Sequence, residues 1–264
     1  MGVRRARLMS TISIENRGSV RWLTMSRPDK HNAFNPQLIA ELKAAFLAAG
    51  EDQEVRVVVL AGEGPSFSAG ADLDWMKGQG QAGEEENFAS AREMGELFQV
   101  IDRCPKPVVA KVHGAALGGG AGLVCSVDIA VAGPKAIFGF TEVRLGLVAA
   151  VISPFVVRRL GLSNSRAKLL TGERFDAAEA YRIGMVHSTA EDLDAEVEAI
   201  TQRLLQGSPQ AQKASKELLM AVWELPYDGQ LDATAHVIAQ ARASADGREG
   251  LAAFLEKRKP LWSL

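Results

Sequence analysis

Cysteine is scarce: only Cys104 and Cys125 occur in 264 residues, which excludes a disulfide framework. There is no Cys-x-x-Cys, and the four histidines show no metal spacing, so a zinc site is not expected and the setting expected is a reducing, cytoplasmic one. An excess of either charge is lacking too, with 30 Lys+Arg against 32 Asp+Glu and a formal net charge of -2. Basic residues are scattered except for Arg4, Arg5 and Arg7 near the start and Lys257, Arg258 and Lys259 near the end. No stripe therefore tracks nucleic-acid phosphates, although the terminal cluster suits one small phosphate-bearing ligand. No apolar run reaches membrane-spanning length, and residues 1–10 lack the apolar centre of a signal peptide. They are expected as an unstructured leader. Tandem repeats and low-complexity segments are absent as well. What remains is an ordinary globular composition, 47% hydrophobic and 23% charged, long enough to bury roughly three quarters of the unfolded surface.

Hydrophobic spacing organises the chain. Ile12 to Glu15 and Val20 to Met25 read as a hairpin around Gly18, broken by Pro28-Asp29-Lys30. Asn35-Pro36 caps a helix that carries Leu38, Leu42, Phe46 and Leu47 at helical spacing up to Gly50. Buried strands are expected over Val55 to Leu60, Val108 to Val112 and Val127 to Val131, with a helix over Ala89 to Cys104 between the first two. This alternation implies right-handed βα crossovers and a largely parallel sheet. From Ser153 onward the pattern turns helical: Ser153 to Leu160, Ser163 to Thr171, Asp176 to Ile183, Asp192 to Leu205, Pro209 to Glu224, Gln230 to Ser244 and Gly247 to Lys257.

Candidate chemistry starts at Leu117-Gly118-Gly119-Gly120-Ala121-Gly122-Leu123, a strand-to-helix junction of small residues. Successive glycines cost conformational entropy, so they are kept where backbone approaches something closely or takes positive φ. A helix start also offers unpaired N–H groups and the positive end of a dipole. Close packing of helix on strand explains the run equally well. The second feature is Phe67-Ser68-Ala69-Gly70-Ala71-Asp72-Leu73, which follows the neighbouring strand and again opens a helical stretch. Turns at the carboxyl ends of two adjacent parallel strands can converge. Together they offer two backbone donors to one oxygen, the arrangement that stabilises an oxyanion or enolate.

These residues resemble a known family. Ala69-Gly70-Ala71-Asp72-Leu73, Gly114-Ala115-Ala116-Leu117-Gly118-Gly119-Gly120 and Phe138-Gly139-Phe140-Thr141-Glu142 are similar to the signature stretches of the crotonase (enoyl-CoA hydratase/isomerase) superfamily. Further agreement comes from Arg27-Pro28-Asp29-Lys30-His31-Asn32-Ala33-Phe34, Thr171-Gly172-Glu173-Arg174-Phe175-Asp176-Ala177 and Phe254-Leu255-Glu256-Lys257-Arg258-Lys259-Pro260. The resemblance implies an α/β fold, a crotonase-like spiral of ββα units over residues 11–195, followed by a helical region over 196–264 for trimer contacts and the CoA pocket. It also implies an acyl-CoA thioester substrate, no cofactor beyond that CoA, no metal, and a homotrimer or homohexamer.

Carried over by position, the N–H groups of Ala71 and Gly119 form the oxyanion hole, and Glu142 is the catalytic carboxylate. A lone loop glutamate is ordinarily a solvated charge, but this one stands between two signature segments. Lys30, Ala33, Ala69, Asp72 and Leu73 are implied beside the adenine and pantetheine, with Phe254 and Lys257 reaching in from the last helix. The departure is Gly122: hydratases with two catalytic glutamates carry the other one here. Ala150 replaces the extra acid of dienoyl-CoA isomerases. Glu142 to Val156 resembles a bacterial branch associated with methylglutaconyl-type CoA esters of leucine and isoprenoid breakdown, except that Ala149 stands where that branch has Pro. Three outcomes stay open: hydration, Δ3,Δ2 isomerisation, or acyl-CoA binding without turnover. His31, His113 and His187 are expected as structural residues, since no Ser or Cys pairs with them in sequence. Trp22, Trp75, Trp223 and Trp262 are expected in packing or subunit contacts.

Overall fold

The computed structural model describes residues 10–263. The expected leader lies outside the described residues apart from Ser10, whose hydroxyl sits 3.0 Å from the Glu41 carboxylate. The hairpin forms as β1 (Ile12–Arg17) and β2 (Val20–Met25), turned at Gly18 with φ 58°. Next comes α1 (Pro36–Glu51), where the Asn35 side chain accepts from the Leu38 N–H at 2.8 Å and Pro36 stands at the first helical position. The chain continues through β3 (Val57–Gly62), α2 (Leu73–Gln81), α3 (Glu84–Asp102) and β4 (Val108–Val112). Three acidic residues, Glu84 to Glu86, start α3 five residues earlier than the apolar spacing indicates, because carboxylates suit the positive end of the helix dipole.

After β4 come β5 (Ala115–Leu117), α4 (Gly119–Ser126), β6 (Ile129–Ala132), β7 (Ile137–Gly139), α5 (Ser153–Thr171), β8 (Arg174–Asp176), α6 (Ala177–Arg182) and β9 (Ser188–Thr189). The main sheet has the order β1-β2-β3-β4-β6-β9, antiparallel only in the first hairpin, which bears out the parallel reading. Two corrections concern strands. A second sheet, β5-β7-β8, exists, and β8 and β9 lie beyond Ser153 in the stretch read as helical. Two- and three-residue strands carry too little alternation to register as periodicity. The two helices expected over 153–171 are present, labelled together as α5 and separated at Gly161, whose φ of 70° and ψ of 162° are not helical.

Fully buried Phe34, Phe46, Phe67, Phe98, Phe138 and Phe140 fill the core, each worth roughly 1.5–3 kcal/mol of burial. The C-terminal helices α7 (Leu193–Leu205), α8 (Pro209–Glu224), α9 (Tyr227–Ala243) and α10 (Ala245–Leu255) complete the chain. Among the described residues no helix is long and apolar enough to cross a membrane. The latter three leave Leu219, Trp223, Tyr227, Leu231, Phe254 and Leu255 exposed.

Candidate active site

Parallel pairing of β3 and β4, with Val58 beside Val108, delivers two turns to the same edge of the sheet. The turns are then bonded to each other. Ser68 N–H donates to Ala115 O at 3.0 Å, and Leu117 N–H returns to Ser68 O at 2.9 Å. Phe34 holds the first turn from the other side: its N–H donates to Gly70 O at 2.6 Å, and Asp72 N–H donates to Phe34 O at 2.9 Å. The Ala71 N–H lies between these two bonds and has no acceptor among the described residues.

The second turn is fixed by Gly118, whose N–H donates to Gly139 O at 2.8 Å. Its φ of 51° and ψ of -120° are open to glycine and hostile to other residues. From there α4 begins, and Gly119, its first residue, donates its N–H to no group among the described residues. The two turns nearly touch. A Cβ placed on Gly70 would stand 2.9 Å from Leu117 O.

Glu142 completes the convergence. It starts a 3-10 turn just after β7, which pairs with β5 through Leu117 and Gly139. A Cβ on Gly118 would lie 3.1 Å from Glu142 Oε1, so the carboxylate stands against the glycine turn. Its Oε2 is buried without a hydrogen-bond partner. Burial pushes the carboxyl above the usual carboxylate range, with its own backbone N–H pulling the other way. An uncompensated buried carboxyl costs stability, and such perturbed groups cluster at functional sites.

At Gly122 the structure explains the missing acid. A Cβ there would lie 2.4 Å from Ile152 Cγ2 and 3.2 Å from Phe98 Cε1. The apolar start of α5 occupies the space a second carboxylate would need. Glu142 therefore faces the junction as its only acid at these two positions.

The residues implied for CoA fall into two groups. Arg27 pairs with Asp72 at 2.8 Å and donates to the carbonyl of Ala33, while Ala69 N–H donates to His31 O at 2.9 Å. Lys30 reaches Asp74 at 3.2 Å, and Leu73 is exposed. Lys30, Ala33, Ala69, Asp72 and Leu73 thus share one rim beside the first turn. Phe254 does not join them within this chain. It borders a separate apolar cavity of about 960 Å³ between α8, α9 and α10, with Lys257 exposed just beyond.

A model of the family described as enoyl-CoA hydratase/isomerase matches residues 15–263. The chain belongs to this family. A crotonyl-CoA hydratase of Syntrophomonas wolfei is 34% identical over 256 residues, covering 94% of this chain and 96% of its own. Among solved structures, an enoyl-CoA hydratase from Shewanella pealeana superposes with a TM-score of 0.93 at 40% identity, covering 96% of each chain. Pseudomonas aeruginosa AtuE gives 0.93 at 39% identity, over 96% of this chain and all (100%) of that one. The mixed α/β architecture matches the crotonase fold expected of the family member.

Several residues that build the site lay within recognised motifs without an assigned role. Asn32 is fully buried; its side chain accepts from Arg27 N–H at 2.9 Å and donates to Glu63 O and Ser66 O, each at 2.8 Å. Ser68 Oγ donates to Asn32 O at 2.9 Å, tying this network to the first turn. Ser68, a polar residue among Phe67, Ala69, Gly70 and Ala71, carries a signal in sequence; Asn32, in the polar run Arg27 to Asn32, carries none. Ile152 gave none. One histidine reading needs correction: His31 Nδ1 does meet a serine, Ser66, at 3.0 Å, a pairing hidden by 35 residues of separation. Ser66 is buried, so the contact braces the loop and offers no exposed nucleophile. His113 Nε2 lies 2.8 Å from Gly64 O and His187 Nδ1 accepts from Ala130 N–H at 3.0 Å, both structural contacts. Trp22 and Trp262 sit in contacts as expected, Trp22 under Arg17 and Trp262 donating to Gln206 O at 3.1 Å.

Proposed function

We propose that this enzyme is an enoyl-CoA hydratase that adds water across, or removes it from, the α,β bond of an acyl-CoA thioester, with Ala71, Gly119 and Glu142 as its machinery. The observation that carries this reading is the buried, unpartnered Oε2 of Glu142 beside a junction whose two N–H groups lack acceptors. The thioester oxygen accepts from both N–H groups. As the water oxygen bonds to Cβ, the Cα–Cβ π pair moves through Cα and the carbonyl carbon onto the thioester oxygen to give an enolate, and one water proton passes to Glu142. The enolate then collapses, and Glu142 returns the proton to Cα. No net proton is lost or gained, so one acid suffices. Removing one oxyanion donor typically costs about 10²- to 10³-fold in rate, and general acid–base transfer contributes about 10²- to 10⁴-fold.

The raised affinity of Glu142 for a proton suits a group that must be base and then acid in one cycle. The shared rim of Lys30, Ala33, Ala69, Asp72 and Leu73 supports an adenine and pantetheine path ending at the two N–H groups. Exposed apolar side chains on α8 to α10 support assembly as a homotrimer or homohexamer, in which Phe254 and Lys257 serve a neighbouring copy. A branched methylglutaconyl-type acyl group is the substrate proposed, on the resemblance carried by Glu142 to Val156. Two buried free thiols support a reducing, cytoplasmic setting.

Incubation with crotonyl-, 3-methylglutaconyl- and 3-enoyl-CoA tests the reading, followed by conjugated-thioester absorbance and product mass beside Glu142→Gln. Water gain abolished by that substitution is the result expected. Double-bond movement without mass change would make the enzyme an isomerase using the same groups, and binding without turnover on any substrate would refute both.

A further inference from the structure

The amino end of α4 carries the Gly119 N–H; its carboxyl end meets a charge with an unusual set of partners. Arg159, from α5, donates through Nη2 to Val127 O and, at 3.4 Å, to Val124 O, and through Nη1 to Asp128 O at 3.4 Å; Nη1 also lies 3.1 Å from His187 Nε2, a contact and not a donated bond, since Nδ1 of that ring accepts from Ala130 N–H and leaves the ring proton on Nε2. Its carbonyl acceptors belong to the last turn of α4 and the residues just after it. Nearby cations differ. Arg158 is paired with Asp102 at 2.9 Å and Lys216 with Asp128 at 2.6 Å, whereas no carboxylate among the described residues lies within ion-pair distance of Arg159. All eight residues of α4, from Gly119 to Ser126, are buried. The helix therefore runs through buried interior from a half-buried guanidinium, which has Asp128 and Asp102 near it but no carboxylate in direct contact, to the free Gly119 N–H.

We propose that Arg159 is a positioning residue for the thioester oxygen: it clamps the carbonyl end of α4, and its positive charge, in contact with carbonyls and with no carboxylate, strengthens the polarising power of the Gly119 end. This rests on the oxyanion reading above. Eight residues span about 12 Å, and a unit charge at that distance under an effective dielectric of about 20 changes the stability of a developing oxyanion by about tenfold. The guanidinium adds positive potential in the same direction as the helix dipole, which by itself favours negative charge at the amino end. Burial draws its pKa down, with the nearby Asp128 and Asp102 pulling the other way, yet an Arg stays charged at any working pH.

The experiment compares wild type, Arg159→Lys, Arg159→Gln and His187→Glu on crotonyl-CoA, reading kcat, KM and the infrared carbonyl stretch of bound thioester in a Glu142→Gln background. Polarisation by the hole lowers that stretch. Arg159→Gln is expected to lose about tenfold in kcat with KM within about twofold, and to lose part of the carbonyl shift. Arg159→Lys, which keeps the charge, restores most of both. His187→Glu leaves Arg159 in place but supplies a carboxylate next to it, so it also loses part of the shift; it decides the matter if Arg159→Gln does not fold. An unchanged shift in His187→Glu, or equal losses in the Lys and Gln variants, would overturn the proposal and leave Arg159 as a structural tie. Absence of any carbonyl shift in the protein with native Arg159 would overturn the oxyanion reading itself, and this inference with it.

Discussion

Replacing Gly122 by Ala tests whether steric exclusion, and not backbone geometry, keeps this position empty. Gly122 has no positive φ, so Ala is conformationally allowed and gains about 0.8–1 kcal/mol of helix propensity. Against this, the new methyl would lie 2.4 Å from Ile152 Cγ2 and 3.2 Å from Phe98 Cε1. Ile152 is buried at the start of α5 and cannot swing into solvent, so overpacking costs about 1–3 kcal/mol. The net expectation is a loss of about 0–2 kcal/mol, or at most several degrees of Tm at about 2–4 °C per kcal/mol for a chain of this size. The decisive measurement is a double-mutant cycle by urea unfolding at fixed protein concentration. Ile152→Ala alone loses about 2–5 kcal/mol through its cavity, but in that background Gly122→Ala becomes stabilising because the methyl fills vacated space. A coupling of about 1–3 kcal/mol is predicted. Additive effects would refute the argument that Ile152 is what excludes a side chain, and with it the account of why only one acid faces the junction. The same single substitution should lower kcat, since α4 must shift to relieve the clash and Gly119 is its first residue.

Glu142→Gln should reduce turnover by about 10²- to 10⁴-fold while leaving thermal stability equal or higher, as the replaced Oε2 is buried and unpartnered. The pH dependence follows from the raised pKa of Glu142: the ionised base is lost on acidification at a pH above the ordinary carboxylate value of 4.5, so the acid limb of kcat/KM should sit there and shift little with salt. The same shift has a stability counterpart. A raised folded pKa contributes stability that is present below 4.5 and lost as pH rises through the folded value; wild type should therefore weaken relative to Glu142→Gln across that window, measured by denaturation at several pH values. Gly118→Ala should cost at least about 1 kcal/mol from its φ of 51° alone, and it should impair turnover further because its Cβ would stand 3.1 Å from Glu142 Oε1. Asn32→Ala should lose about 2–4 kcal/mol by leaving the carbonyls of Glu63 and Ser66 and the Arg27 N–H unpaired, seen as a lower urea midpoint.

Much of this site was legible because it is made of backbone. Gly118 and Gly119 appear in sequence as residues with a conformational reason to exist, and the parallel pairing of β3 with β4 follows from the alternation of strands and helices around them. Glu142 was found through the signature stretch before it, while its burial and missing partner belong to the folded chain alone. Ser68 was visible but mute, and Asn32 was unmarked, since a polar residue in a turn does not say which carbonyls, thirty or more residues away, it will satisfy. Ile152 was illegible: an apolar residue entering a helix carries no mark that it plugs the position of an absent acid. The second sheet was lost for a related reason, because strands of three residues are specified by the partners they meet.

Gly122, Ile152 and Glu142 together constrain the chemistry more tightly than any of them alone. A site with two facing carboxylates can divide labour, one activating water and the other protonating carbon. Here the space at the second position is filled by a buried aliphatic side chain, so in the proposed hydration the proton taken from water and the proton given to Cα pass through one carboxyl group. The proposed reaction calls for a group that takes up and returns a proton, and burial raises the affinity of Glu142 for one; it also calls for an electron sink that needs no proton of its own, the role proposed for the Ala71 and Gly119 N–H groups. Restoring an acid at the opposite position should therefore be unproductive unless room is made for it: Gly122→Glu alone should unfold or inactivate the enzyme, whereas Gly122→Glu with Ile152→Gly should fold and show a second ionisation in its kcat profile. A folded, active Gly122→Glu single variant would show that the aliphatic plug is not what limits the site to one acid.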